Sequence, residues 1–313
     1  MKKLCCIWVL TGMIALAGEA QASCGSALCS VNTDWETQGT WAERGLRLDL
    51  RHEYIDQDTR RAGRREVAPG EIPSHHDELR TINRNLLLTL DYSWNRTWGL
   101  SVQLPAMNRS HEHIHHHHGE QLLEQWQFSG LGDARVLGRY SLLHSREASA
   151  GVLLGAKLPT GRFHVRNADG DLAERTLQPG SGTADVLAGA YLNRHIGAFN
   201  WFGQVLWAKP LGEREGFEPG QRLNLDTGLS LGLPDRVAGM LQVNAVLRGR
   251  DRGPEAERED SGGEFVYLSP GVRMLLGDRV QAYALVQLPL YQRVNGVQLT
   301  SDWASVVGLS FRP

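Results

Sequence analysis

Leu223-Asn-Leu-Asp-Thr-Gly-Leu-Ser-Leu-Gly-Leu233 is the stretch that decides the fold. Leu223, Leu225, Thr227, Leu229, Leu231 and Leu233 occupy every second position. Asn224, Asp226, Gly228, Ser230 and Gly232 between them are small or polar. Alternation with a period of two describes a strand with one apolar and one wet face. A helix would spread the same leucines around its whole circumference.

The pattern recurs along the chain. Alternating segments fall near residues 44–55, 80–92, 97–105, 132–143, 149–158, 183–193, 199–208, 221–233, 237–249, 264–276, 279–289 and 300–311. The connections between them alternate in length. Residues 56–79, 106–131, 159–182, 209–220, 250–263 and 290–299 form long stretches. Residues 93–96, 144–148, 194–198, 234–236 and 277–278 form short ones. This rhythm is independent of the hydrophobic pattern and agrees with it. Short periplasmic turns, long extracellular loops and an even strand number belong to bacterial outer-membrane barrels. The predicted fold class is therefore all-β: a transmembrane antiparallel up-and-down barrel of about 12 strands. A soluble antiparallel protein has hairpins too, but no reason to segregate its loops by length.

Bulk composition agrees. Mean hydropathy is −0.33, too polar for a bundle of membrane helices but natural for strands that face lipid on one side only. A net charge of −2 supplies no field for capturing nucleic acid. The one continuous apolar run follows Lys2 and Lys3 and extends from Leu4 to Ala17. Ala20-Gln-Ala22 then places small residues at the −3 and −1 positions of a cleavage site. Residues 1–22 read as a signal peptide, 23–43 as a periplasmic N-terminal segment and 44–313 as the barrel. Acylation of Cys24 would make a lipoprotein, but Gln21 stands where a branched aliphatic residue is normally required. Cys24 and Cys29 survive cleavage into an oxidising compartment, where a disulfide between them is the expectation. The alternative of a metal or redox pair has no strong spacing signature behind it.

The faces follow from the charges. Leu46, Leu48 and Leu50 of the first strand face lipid, while Arg47, Asp49, Arg51 and Glu53 face the lumen. Asn85 and Asp91 face inward on the second strand, Arg135 and Arg139 on the fourth, and Lys157 on the fifth. Asn224 and Asp226 do so on the eighth strand, and Gln242 and Asn244 on the ninth. These thirteen residues are the candidate lumen lining. They are mixed in sign, so no ion preference follows. A one-residue slip would turn every one of them onto lipid, where Arg or Lys at the midplane costs about 2–4 kcal/mol. Trp98, Trp201, Trp207, Trp303, Tyr92 and Phe311 fall near strand ends, as interfacial girdles require.

The sharpest local oddity is Ser110-His-Glu-His-Ile-His-His-His-His-Gly119. His111, His113, His115, His116, His117 and His118 sit in the second extracellular loop, and His75 and His76 in the first. Neutral imidazoles bind copper and zinc, so a flexible tract of them reads either as a surface metal-binding site or as a solvated polar loop. No other cofactor is indicated. Catalysis has little support: there is no Gly-x-Ser-x-Gly elbow, and Ser141 with His144 lacks a recognisable acid. An outer-membrane hydrolase is the least favoured alternative.

Gly130-Leu-Gly-Asp-Ala-Arg-Val-Leu-Gly-Arg-Tyr140, Lys157-Leu-Pro-Thr-Gly-Arg162 and Leu177-Gln-Pro-Gly-Ser-Gly-Thr-Ala-Asp185 together resemble the outer-membrane barrel family named for the meta-pathway of phenol degradation. The resemblance spans most of the barrel. It implies a transporter-like architecture, with outer-membrane lipid, a small-molecule solute and the barrel-assembly machinery as partners. The motifs are short and structural, and they imply no enzymatic role.

Overall fold

In a computed structural model, the described residues are 44–72, 77–117, 120–167, 170, 172–234 and 236–313. The expected signal peptide, the N-terminal segment with Cys24 and Cys29, and His75, His76 and His118 lie outside them. Sixteen strands follow one another among the described residues: β1 (Gly45–Gln57), β2 (Thr59–Ala62), β3 (Arg65–Glu66), β4 (Asp77–Ser93), β5 (Trp98–His117), β6 (Glu120–Leu131), β7 (Ala134–His144), β8 (Ala148–Leu158), β9 (Asp185–Ile196), β10 (Phe199–Pro210), β11 (Arg222–Gly232), β12 (Val237–Arg248), β13 (Gly263–Leu275), β14 (Val280–Val294), β15 (Val297–Thr300) and β16 (Ala304–Phe311).

The main sheet has thirteen strands, in the order β4-β1-β16-β14-β13-β12-β11-β10-β9-β8-β7-β5-β6, and β4 also pairs with β5. That pairing closes the ring through twelve strands and leaves β6 outside it. Every pairing is antiparallel, and the first and last strands meet with Leu48 opposite Phe311 and Ile55 opposite Ala304. Closure removes the sheet edge, so no backbone hydrogen-bonding group faces the hydrocarbon unpaired.

The outer surface is oily. Leu46, Leu50, Leu86, Leu88, Leu104, Leu154, Leu225, Leu229, Leu241, Val243, Leu247, Val286, Leu288, Val307 and Leu309 are all exposed. Aromatic pairs stand at the rims: Trp98 lies against Tyr140 with ring centroids 4.5 Å apart, and Trp303 against Tyr54 at 5.6 Å. A closed wall with an apolar exterior and aromatic rims defines a barrel that crosses the outer membrane of a Gram-negative cell.

The structure departs from the sequence reading in three places. Residues 106–131, expected as a loop, form a long hairpin: above residue 105, β5 leaves β7 and pairs with β6, from Ala106 opposite Leu131 to His117 opposite Glu120. The 56–79 stretch holds β2 and β3. With β15 they make a second, three-stranded sheet that packs against β4 and β14. The last predicted strand is shorter, because Ser301 to Trp303 break away from the wall between β15 and β16.

The wall's polarity can be measured directly. Leu225→Arg puts a guanidinium on lipid and is expected to cost about 2–4 kcal/mol in urea unfolding from vesicles. Asn224→Arg, one residue away on the wet face, is expected to be close to neutral; equal losses would contradict the assigned faces.

Candidate functional site

The bore is charged, and its charges are largely matched. Arg47 and Asp91 are register partners on β1 and β4, and Arg47 Nε donates to Asp91 Oδ2 at 2.9 Å. Asp49 accepts from the Tyr283 hydroxyl at 2.9 Å. Glu53 is wholly buried, paired with Arg51 and accepting from Asn85 Nδ2 at 3.1 Å. On the opposite wall Asn244 donates to Asp226 at 2.8 Å and accepts from Ser269 at 2.7 Å, with Gln242 beside it. Buried charges survive only with such partners, because isolated ions cost several kcal/mol each to dehydrate.

Of the thirteen predicted lining residues, Arg51, Glu53, Asn85, Arg135, Lys157, Asn224 and Asp226 surround one cavity of about 360 Å³ in the upper bore. Arg139 lies on a second cavity of about 420 Å³ at the periplasmic end. Arg47, Asp49, Asp91, Gln242 and Asn244 are buried in the bore but line neither cavity.

The upper cavity also carries residues the periodicity did not single out. Arg109, Arg175, Arg222 and Arg248 add four cations to Arg51, Arg135 and Lys157, while the acids are Glu53, Asp133, Asp185 and Asp226. Of these four cations, Arg175 belongs to the connection between β8 and β9, whose residues 175–181 fold into the bore rather than away from it. Arg175, Gln178 and Ser181 from this connection border the cavity, and Leu177 is fully buried. Leu177 and Ala173 pack against Trp126 of β6, so the hairpin holds the connection down. Arg175 is sandwiched between the rings of Phe163 and Phe217, 4.8 and 5.3 Å from their centroids.

The node that fixes the connection is made from the three motif stretches. Asp133 accepts from the Gly161 and Ser181 backbone N–H groups at 3.0 Å each. Lys157 bridges Asp133 at 3.2 Å and Asp185 at 3.0 Å and donates to the Ser181 hydroxyl. Gly161 and Gly180 pass so close that a Cβ on Gly161 would come 2.7 Å from the Gly180 Cα, which explains glycine at both. Three segments separated in sequence thus converge on one side of the cavity.

Apolar side chains also point into the bore: Leu153, Leu187, Phe202 and Tyr191 are all buried, with Leu187 on the upper cavity and Tyr191 on the lower. Phe202 and Tyr191 lie across glycines of neighbouring strands. A Cβ on Gly228 would come 2.6 Å from the Phe202 ring, and one on Gly151 would come 2.8 Å from the Tyr191 ring. The Tyr191 hydroxyl is 2.5 Å from Ser141 Oγ, so Ser141 is engaged by Tyr191 and by Arg139 rather than by His144. Beside β1, β12, β14 and β16 the bore is filled outright by Ile55, Met240, Tyr283, Leu285, Ala304 and Val306. These inward apolar residues were hidden within runs such as Leu86-Leu-Leu88 and Val152-Leu-Leu154, whose central residue faces the bore.

His111 and His113 are not on a flexible loop. Both are buried on β5, in the extracellular part of the hairpin. His111 Nδ1 is 2.7 Å from Thr81 Oγ1, its Nε2 is 3.0 Å from His113 Nδ1, and His113 Nε2 is 3.6 Å from Glu124. Both rings sit on a strand paired on either side, with Thr81 of β4 and Glu124 of β6 beside them, which corrects the expectation of a flexible loop for these two. His115, His116 and His117 continue the strand. Among the described residues no group of three or more His, Cys, Asp or Glu is arranged to hold a metal ion.

Comparison with solved structures follows the fold. An outer-membrane channel from Pseudomonas putida F1 superposes with a TM-score of 0.67 at 11% identity, covering 91% of this chain and 100% of that one. The NanC porin gives 0.48 at 9% identity, covering 85% and 100%. A CymD monoaromatic hydrocarbon channel gives 0.43 at 10%, covering 87% and 89%. No protein-family model matches the sequence, and no curated protein resembles it. At such identities the first likeness establishes a shared fold alone.

Two predictions follow from this geometry. Lys157→Met leaves two buried carboxylates without their shared cation and is expected to cost about 3–5 kcal/mol. Trypsin should then cut the folded barrel within residues 159–184, at Arg162 or Arg175, while the wild-type connection resists. For the hairpin, burial and secondarily Arg109 push His111 down from 6.5 to about 3. Between those values a loosened hairpin takes up a proton that the packed one refuses. Packing is therefore fully stable above pH 6.5 and weakens as pH falls. Trp126, whose ring centroid lies 4.6 Å from His113, should report this as a reversible fluorescence change that His111→Gln flattens. A flat wild-type titration would contradict the assignment.

Proposed function

We propose that the barrel is a channel through which a small solute crosses the outer membrane. The upper cavity is its receiving chamber and the periplasmic cavity its exit. The observation that carries this reading is the succession of two cavities lined in common by β7, β8 and β9. On β7 the boundary is a single pleat, since Leu137 lines the upper cavity and Arg139 the lower. Tyr191 and Leu153 stand at this boundary, and rotation of the Tyr191 ring off Gly151 joins the two chambers. Passage then depends on lumen width and on the charged groups along the way. Apolar faces from Leu87, Leu187, Leu206 and Met107 beside the cations suit a solute with both a charged and a hydrocarbon part.

The resemblance of the three motif stretches to the barrel family named for the meta-pathway of phenol degradation supports the same reading. In this chain those stretches build the Asp133–Lys157–Ser181 node that shapes the chamber. They serve as architecture, and a non-catalytic role accords with their positions.

Purified protein refolded into a planar bilayer is expected to give discrete conductance steps. Tyr191→Ala should raise the unit conductance several-fold by opening the boundary between the cavities. A silent bilayer for both proteins, with folding shown by heat-modifiable migration, would overturn the channel.

A further inference from the structure

Among the cations that line the upper cavity, one differs from the rest. Arg51, Arg109, Lys157, Arg175, Arg222 and Arg248 each donate at least one side-chain hydrogen bond to another group of the protein. Arg135 lines the same cavity, and its guanidinium donates none to any described residue.

Its register partners are occupied elsewhere. Gln103 on β5 donates to Thr89 Oγ1 at 3.4 Å, and Lys157 on β8 is paired with Asp133 and Asp185. Asp185, Glu53 and Asp133 attract the charge of Arg135 from beyond hydrogen-bonding range, and Arg51 repels it. Each of these acids has nearer contacts of its own. Asp185 pairs with Lys157, Glu53 with Arg51 and Asn85, and Asp133 with Lys157 and the Gly161 and Ser181 N–H groups. The charge of Arg135 is thus offset at a distance, while its fork of N–H donors meets no acceptor among the described residues.

Apolar side chains adjoin this fork. Leu137 is the next inward residue on β7, Leu187 is the next beyond Asp185 on β9, and Leu87 and Met107 face the cavity from β4 and β5. The two oxygens of a carboxylate match a guanidinium fork, and a hydrocarbon tail behind them removes leucine surface from water. A neutral hydroxyl offers the fork a single oxygen without charge, and an ammonium group offers it none.

We propose that Arg135 anchors a binding site in the upper cavity for a monocarboxylate with a hydrocarbon tail. This names the solute class of the chamber, and its part in transport rests on the channel reading; the binding itself does not. Asp185, Glu53 and Asp133 keep the hold on an incoming anion loose, and a site along a conduction path must release what it takes up.

Equilibrium dialysis of radiolabelled hexanoate against the full chain, with the same detergent on both sides, tests the site. Saturable binding is expected, with affinity about tenfold weaker in Arg135→Gln, where the charge-assisted hydrogen bonds are lost. The substitution removes a cation that makes no hydrogen bond, so the variant should fold, which heat-modifiable migration checks. Competition on the wild type gives a second measurement that needs no variant. Unlabelled hexanoate should displace the label, hexanol and hexylamine should not, and acetate should need a concentration at least about tenfold higher. No saturable binding to wild type, or unchanged affinity in folded Arg135→Gln, overturns the proposal. So does displacement by hexanol or acetate as effective as that by hexanoate. Binding with a silent bilayer would sink the channel and leave the site standing; conductance without binding would do the reverse.

Discussion

The structure depends on one constraint: an ionised side chain cannot face hydrocarbon, and in a strand each neighbour of an inward residue faces outward. Arg47, Asp49, Arg51 and Glu53 on β1 therefore determine where Leu46, Leu48 and Leu50 must lie. The register then propagates from strand to strand until β1 meets β16. The same constraint concentrates charge in a narrow bore. There charges must be matched, as Arg47 is with Asp91 and Lys157 with Asp133 and Asp185. Lining and wall have one physical origin.

A closed ring of twelve strands is wide enough to need filling, and this chain fills it unevenly. On one side apolar side chains from β1, β12, β14 and β16 pack the interior like the core of a soluble protein. On the other side the 159–184 connection dips inward, pinned by Asp133 and Lys157 below and by Trp126 above. What remains is an upper cavity that reaches from β1 and β4 round to β12, and a lower one on β7, β8 and β9. Two glycines have a defined purpose: Gly151 on β8 and Gly228 on β11 leave room for the rings of Tyr191 and Phe202 on the adjacent strands. The bore is thus shaped as much by missing side chains as by present ones.

Much of this was legible in the sequence. Alternation around Leu225, Leu229, Leu241 and Leu247 marked the wall, and the long-short rhythm of connections marked its topology. Strand periodicity reports which way a side chain points and says nothing of what stands opposite it across the bore. Leu153 and Leu87 were concealed for that reason, each lying between two apolar neighbours of the opposite parity. The polar composition of 106–131 read as a loop because His111, Glu112 and His113 resemble solvated residues. Strand pairing with β4 and β6 overrides that local signal and buries both histidines. The inward fold of 159–184 rests on contacts between segments far apart in sequence, which a single chain read locally does not announce.

The central claim is that this wall is oily outside and hydrated within, and an accessibility scan of β11 tests it most directly. Spin labels are placed one at a time at positions 223 to 231 of protein in liposomes. Collisions are then measured with molecular oxygen, which concentrates in lipid, and with a water-soluble nickel chelate. Oxygen accessibility should peak at 225, 227 and 229 and fall at 224, 226, 228 and 230. A scan with no period of two, or with its phase inverted, would contradict the account.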